Sequence, residues 1–322
     1  MAVYTQVSDT DLDKLLADFD MGQAVALKGI DGGIENTNFF LTTEKGGQQE
    51  EYVLTLFEEL DRDEVPFFVE LGSWLAKRNV PVSYAIEDRN GIGLKQISKK
   101  PAIIQPRYPG AHLKREHLTA NHCAQIGTAL AHYHQASNDF YLKRQAHRGV
   151  FWWRRESERL APFIDSQSRD LLSEEVARFD ELRDTYTNLP MGITHGDLFH
   201  DNALFHEDKL TAILDIYNAA TAYWLYDLAI VANDWCLDEN LQIDPVREQA
   251  LLKAYSAIRP FTAEEHEVWP QLTRTAAMRF WLSRLEPWVD AHQGNGSDKT
   301  LKDPDEFKKV LMHRIETPSQ LS

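Results

Sequence analysis

The chain has 322 residues, an apolar fraction of 43% and a formal net charge of −16. That length predicts two domains or one large bilobal one, and the apolar fraction excludes disorder. The acidity argues against a nucleic-acid or anionic-membrane surface, because phosphate backbones need a basic patch. Cys123 and Cys236 are far apart and in no CxxC or CxxH spacing, which predicts a reduced, cytoplasmic protein without a zinc site. The opening "MAVYTQVSDTDLDKLL" lacks a basic region followed by an apolar run, so no signal peptide is expected. No segment approaches the roughly 20 apolar residues of a membrane span.

In chain order, the first predicted element is a helix. Ser8 is its cap, Asp9 and Asp11 lie in its first turn, and Leu12, Leu15, Leu16 and Phe19 form its apolar stripe. Residues 24–58 read as strand, glycine-bearing loop, strand, turn, strand, with Gly46-Gly47 marking a hairpin. "VPFFVELGSWLAKRNV" has helical spacing and ends before Pro81. "YAIEDRNGIGLKQI" reads as paired strands around Asn90-Gly91, followed by a strand in "KPAIIQPRYPG". Residues 1–105 are therefore expected to form an antiparallel sheet with an internal helix.

Residues 106–322 are expected to form a mostly α-helical lobe. "REHLTANHCAQIGTALAHYHQAS" places Leu118, Cys123, Ile126, Leu130 and Tyr133 on one helix face. "SRDLLSEEVARFDELRDTY" is a second helix, residues 192–218 read as short strands and loops, and the pattern from Ala222 is helical nearly to the end.

The chemistry concentrates in "THGDLFHDNALF". Its skeleton is His195-x-Asp197-x-x-x-x-Asn202, and Asp215 stands at a strand end in "LTAILDIYN". Phosphoryl transfer to an alcohol needs a carboxylate near the hydroxyl to orient it and take its proton, and Asp197 is the candidate. It also needs Mg²⁺, a hard cation that keeps several waters and so takes few protein oxygens; Asn202 and Asp215 are the candidates. Each segment alone also suits an ordinary turn or cap. His195 reads as a support for the loop, and His200 and His206 as loop or surface residues. No P-loop, GxSxG, HExxH or GxGxxG pattern occurs.

This order of motifs resembles the catalytic loop and metal-binding segment of protein-kinase-like enzymes. Gly196 where protein kinases carry arginine, and "LDIYNA" after the second loop's strand, are similar to the small-molecule branch with aminoglycoside phosphotransferases, choline kinases and homoserine kinases. The resemblance covers most of the chain. It implies an α+β, bilobal protein-kinase-like fold, with residues 1–105 as the nucleotide-binding lobe and residues 106–322 as the catalytic and substrate-binding lobe, and ATP and Mg²⁺ as cofactors.

For the nucleotide, the resemblance directs attention to "GIDGGIENTNFF". Gly32 and Gly33 would let backbone N–H groups approach phosphate, with Asn36 and Asn38 beside them. A plain hairpin turn would read the same way. In "AIIQPRYPG" Pro106 has no N–H, so the adenine donor is expected at Arg107 and the acceptor at the Gln105 carbonyl. There is one departure from the pattern. The third-strand lysine position is taken by Thr55, although Glu70 stands where its glutamate partner would; Lys28 is a possible substitute.

"TRTAAMRFWLSRLEPW" contains Arg274, Arg279 and Arg284 near Trp281 and Trp288. "RFWLSRL" is close to homoserine-kinase members of the branch, which implies Arg279 and Trp281 as substrate contacts, with Arg279 binding a carboxylate. The bland reading pairs each arginine with local acids. "LYDLAIVANDWC" resembles the same subfamily, with Asp227 expected to tie loops together. The expected reaction is phosphorylation of homoserine by ATP. The alternatives are a kinase of choline, methylthioribose or an aminoglycoside, a kinase-like binding module without activity, or, less well supported, a phosphoester hydrolase using Asp197 as nucleophile.

Overall fold

The computed structural model describes residues 4–30, 36–294 and 301–321. The chain divides into two compact units, Met1–Pro109 and Gly110–Ser322. The first is an antiparallel sheet with helices. The second is mainly helical, so the class is α+β.

In the first unit α1 (Asp9–Leu16) starts at Ser8, whose hydroxyl accepts the Asp11 N–H at 3.2 Å. The sheet contains β1 (Gln23–Gly29), β2 (Asn36–Lys45), β3 (Gln48–Phe57), β4 (Lys95–Ile97) and β5 (Lys100–Pro106), in the order β1-β2-β3-β5-β4. The hairpin between β2 and β3 pairs Lys45 with Gln48. Gly46 and Gly47 take φ of 60° and 81° there, a two-residue turn that matches the strand twist and excludes most side chains. Leu12, Leu15, Leu16 and Phe19 pack with Phe39, Leu41, Leu54, Leu56 and Ile104 as one core. Since side chains alternate along a strand, this fixes one face of the sheet as apolar. α2 (Val65–Ala76) buries Val65, Phe67, Phe68, Leu71 and Leu75.

One predicted element is different. Residues 84–94 form no hairpin; only β4 is strand. The Asp88 carboxylate accepts the N–H groups of Asn90 (2.8 Å) and Ile92 (2.9 Å). Such a side-chain turn offers the backbone partners that a ladder would otherwise supply.

In the second unit α3 (Ala120–Ser137) opens with a capping box of Thr119 and His122. It is followed by α4 (Val150–Leu160), which the sequence reading left unassigned, and α5 (Ser166–Thr185). Four short strands come next: β6 (Met191–Thr194), β7 (Ala203–His206), β8 (Lys209–Ile213) and β9 (Ala220–Tyr223). The remainder is α6 (Trp224–Trp235), α7 (Pro245–Ser256), the 30-residue α8 (Ala263–His292) and α9 (Asp305–Glu316). α8 packs against α4, α5, α6 and α9, and α3 against α7. Trp235, Trp269 and Trp281 are among the fully buried side chains of this core. Among the described residues no helix is long and apolar enough to cross a membrane.

Candidate active site

Strand pairing brings the two motif segments together. β6 pairs with β9, and β7 pairs with β8. The connection from β6 to β7 carries Asp197 and Asn202, and the connection from β8 to β9 carries Asp215. Both therefore bridge the same two ladders and must run side by side. Hydrogen bonds join them: the Leu214 N–H donates to the Asn202 carbonyl at 2.9 Å, and His195 Nε2 donates to the Leu214 carbonyl at 2.9 Å.

The glycine in the motif follows from this crossing. Gly196 has φ +78°, and a Cβ on it would lie 2.8 Å from the Asn218 carbonyl oxygen of the neighbouring loop. Left-handed backbone and close approach coincide, so a side chain is excluded twice over. Asp215 also lies in the left-handed region, at φ 54° and ψ 54°. Aspartate tolerates that conformation better than most residues, and non-glycine residues held there concentrate at functional sites.

Asn202 donates its side-chain N–H to the Asp197 carbonyl at 2.7 Å. That bond fixes the amide so that its oxygen, the hard donor atom, is the one left for a cation. Asn202 and Asp215 thus offer the oxygen chemistry that Mg²⁺ prefers, with waters and phosphate completing the shell. Among the described residues no cluster of three or more His, Cys, Asp or Glu forms a closed metal cage; a phosphate-borne cation does not require one.

His195 is a support, as expected. Its Nδ1 accepts the Asp197 N–H at 3.3 Å while Nε2 donates to Leu214. Burial pushes its pKa below the ordinary 6.5, so it stays neutral in the tautomer these bonds require. Asp227 ties the loop down, also as expected. Its carboxylate accepts the N–H groups of His195 at 2.7 Å and Gly196 at 2.8 Å and is fully buried. Burial opposes its ionisation, but the His134 ring N–H, the nearby histidines and the Gly196 N–H hold its pKa below the usual carboxylate value. Asp234 anchors the far end of the loop by accepting the backbone N–H and the ring Nδ1–H of His200, both at 2.7 Å. His206 is exposed.

Of the three arginines in α8, two have the bland role. Arg274 pairs with the buried Glu175, and Arg284 with Glu306 at 2.5 Å. Arg279 is 5% exposed and lies 3.8 Å from the Phe280 ring centroid; Phe280 packs on Phe199 at 4.5 Å, two residues past Asp197. Tyr226, which the sequence reading missed, is close enough to feel the charges of Arg279, Asp227 and Asp197. Burial raises the pKa of its phenol, with Arg279 opposing and Asp227 and Asp197 adding to the rise. Trp281 is 1% exposed, with the Lys308 ammonium 5.5 Å from its ring centroid. Two positions apart on a helix is about 200°, so residues 279 and 281 point to nearly opposite sides.

In the first unit, β2 and β3 pair Asn38 with Thr55, and β5 sets Gln105 opposite Val53. By alternation Lys28, Asn36, Asn38, Thr55 and Gln105 share the face opposite the apolar core. Thr55, 2% exposed, donates its hydroxyl to Asn38 Oδ1 at 2.7 Å and lies 3.3 Å from the Gln105 side-chain amide oxygen. A closed polar cluster occupies the lysine position. Lys28 is exposed on this face, while Glu70 is exposed on α2. The Arg107 guanidinium folds over the Phe40 ring at 4.2 Å and pairs with Glu51 at 2.5 Å. Gly32 and Gly33 lie outside the described residues.

The model of the phosphotransferase enzyme family matches residues 26–261. The chain belongs to that family. Homoserine kinase of Cupriavidus necator is 42% identical over 325 residues, covering 98% of this chain and 96% of the relative. Homoserine kinase of Pseudomonas aeruginosa strain PAO1 is 40% identical over 314 residues, with the same coverage. Among solved structures, an amicoumacin kinase in complex with AMP-PNP, Ca²⁺ and its antibiotic is similar at a TM-score of 0.67. Identity is 17%, and 94% of this chain and 91% of the other are covered. A choline/ethanolamine kinase family protein from Mesorhizobium loti follows at 0.64, with 16% identity and coverage of 96% and 94%. These likenesses establish the fold of this phosphotransferase as protein-kinase-like.

Proposed function

We propose that the chain transfers the γ-phosphoryl group of ATP to the hydroxyl of L-homoserine, giving ADP and O-phosphohomoserine. The observation that carries the reading is the paired-loop geometry, which puts Asp197, Asn202 and Asp215 on adjacent, mutually hydrogen-bonded connections. Relatives named homoserine kinase over nearly the whole chain support the acceptor.

In this reading Asp197 orients the acceptor hydroxyl and takes its proton. Asn202 and Asp215 would hold Mg²⁺, which when bound would neutralise charge on the phosphate oxygens. Arg279 holds the acceptor carboxylate; a buried guanidinium backed by an aromatic ring suits a planar two-oxygen anion. On the first unit, Asn36, Asn38 and the backbone of Gln105 and Arg107 face the nucleotide, and Gly32 and Gly33, outside the described residues, are the candidates for its phosphates. Lys28 is the cation of that face in place of Thr55. Cytoplasmic threonine biosynthesis is the setting that fits such a product.

The test is ADP release with homoserine, choline, methylthioribose and an aminoglycoside as acceptors, with phosphorus NMR of the product. Homoserine should be turned over at least a hundredfold more efficiently than the others. Preference for a different acceptor overturns the substrate, and no ADP with any of them favours a binding module.

A further inference from the structure

A chain of polar side chains leads away from Asp227 into the interior and ends about one helix away from the loop it serves. His134 of α3 donates from Nε2 to Asp227 Oδ2 at 2.9 Å. On the other side of the ring, Nδ1 accepts from the Tyr255 hydroxyl of α7 at 2.7 Å. That oxygen accepts in turn from Arg259 Nε at 2.8 Å. The Arg259 guanidinium makes a two-pronged pair with Glu265, at 2.5 and 3.1 Å. Glu265 completes the α8 capping box by accepting the Thr262 N–H at 2.9 Å. Asp227, His134, Tyr255 and Glu265 have no exposure and Arg259 has 8%.

The Asp227 carboxylate can only accept, so His134 carries a hydrogen on Nε2 and gives it to Asp227. In the neutral ring Nδ1 then accepts, so Tyr255 gives it the hydroxyl hydrogen while its oxygen accepts from Arg259. All bonds point the same way, toward the carboxylate that grips the N–H groups of His195 and Gly196. Burial lowers the His134 pKa and keeps the ring in this neutral form. Trp224 stacks on the His134 ring at 5.6 Å and 10°, which fixes its plane. Aligned hydrogen bonds in a dry interior polarise one another, and leaving any one of them unmade is costly there.

We propose that Glu265, Arg259, Tyr255 and His134 are positioning residues for phosphoryl transfer: they hold the Asp227 carboxylate at one orientation and, through it, set the backbone of the loop that presents Asp197. The proposal rests on Asp197 being the base and adds the interior groups that aim it. None of the four touches a reactant. Their loss should therefore slow the transfer step while leaving substrate affinities in place, since small misplacement of a catalytic group is costly to rate.

The experiment measures kcat, both KM values and the melting temperature of Tyr255→Phe, His134→Gln, His134→Leu and the double variant Tyr255→Phe/His134→Leu. The acceptor is whichever member of the panel is turned over. Tyr255→Phe removes one oxygen and retains the ring; kcat should fall at least tenfold with both KM values within twofold. A glutamine at 134 can still donate to Asp227 and accept from Tyr255, so it should keep kcat within about threefold, whereas leucine should lose as much as Tyr255→Phe or more. The double variant should lose no more than His134→Leu alone, because the links act in series. If both Tyr255→Phe and His134→Leu melt lower but keep kcat, or if their costs multiply, the chain is ordinary core and the proposal falls. Should His134→Leu not fold, the kcat of Tyr255→Phe decides alone. An active Asp197→Asn in the same assay would remove the base assignment, an outcome separate from these.

Discussion

The sheet face of the first unit and the paired loops of the second treat their polar groups in opposite ways. On the sheet, Lys28 is exposed, Arg107 is committed to Glu51 and Phe40, and the buried polar cluster of Asn38, Thr55 and Gln105 has no ionised member. Against the loops, the α6 carboxylates Asp227 and Asp234 are fully buried and grip backbone N–H groups at both ends of residues 195–200. A buried charge is tolerated only when its partners are in place, so such charges fix geometry where exposed ones leave it adjustable. In the proposed reading the rigid loops are the ones that present Asp197 to the acceptor hydroxyl.

The strongest way to break this contrast is Asp197→Asn. The amide keeps the shape but cannot take the proton, and kcat is expected to fall by about 10²–10⁴ with nucleotide binding near normal. Stopped assays at saturating ATP and homoserine, beside a nucleotide titration, check both halves. Next, Asp215→Ala should weaken Mg-ATP much more than metal-free nucleotide. A thermal-shift titration with and without EDTA reads the difference, and equal weakening would make Asp215 structural. Arg279→Leu should raise the homoserine requirement by roughly ten- to a hundredfold, the value of about 1.5–3 kcal/mol for a charge-assisted pair, with the ATP requirement little changed. An amino alcohol without the carboxylate should lose much less. A variant that melts far lower with no selective kinetic effect would place Arg279 in the packing alone.

The smallest effect is on stability. His134 and His195 have pKa values pushed below 6.5 by burial. The unfolded chain takes up protons near 6.5 that the folded chain refuses, so their stabilisation is complete above that pH. It is lost as pH falls below 6.5 through the folded values, at up to about 1.4 kcal/mol per pH unit for each. His200 has the opposite sign. Burial lowers its pKa, but Asp234 overrides this and raises it, so its contribution is complete below 6.5 and is lost on raising the pH through its folded value. Urea unfolding at about pH 7 and pH 5.5 should therefore show a less stable protein at the lower pH, and His134→Gln should remove about half the slope. A flat profile would mean that these rings accept protons in place.

Much of this was legible in the sequence because it depends on local pattern. Leu12, Leu15 and Leu16 marked α1 by spacing, Gly46-Gly47 marked a hairpin by turn chemistry, and the acid at the end of "LTAILD" marked the second loop. What was missed depends on distant partners or on local competition. His134 sits in an ordinary helical pattern, and its role appears only through Asp227, 93 positions away. Tyr226 is masked in the same way by its apolar run. Asp88 diverted residues 84–94 from the expected hairpin by bonding its own backbone.

The most direct measurement of the central claim is single-turnover phosphoryl transfer with both substrates saturating, comparing Asp197→Asn with Thr55→Val. Valine removes the one hydroxyl at the centre of the sheet-face cluster and nearly keeps the volume. The account expects Asp197→Asn to lose at least about a hundredfold in transfer rate and Thr55→Val to stay within about threefold, since an uncharged hydroxyl adds about one hydrogen bond at most. Loss of transfer in Thr55→Val with Asp197→Asn still fast would contradict it.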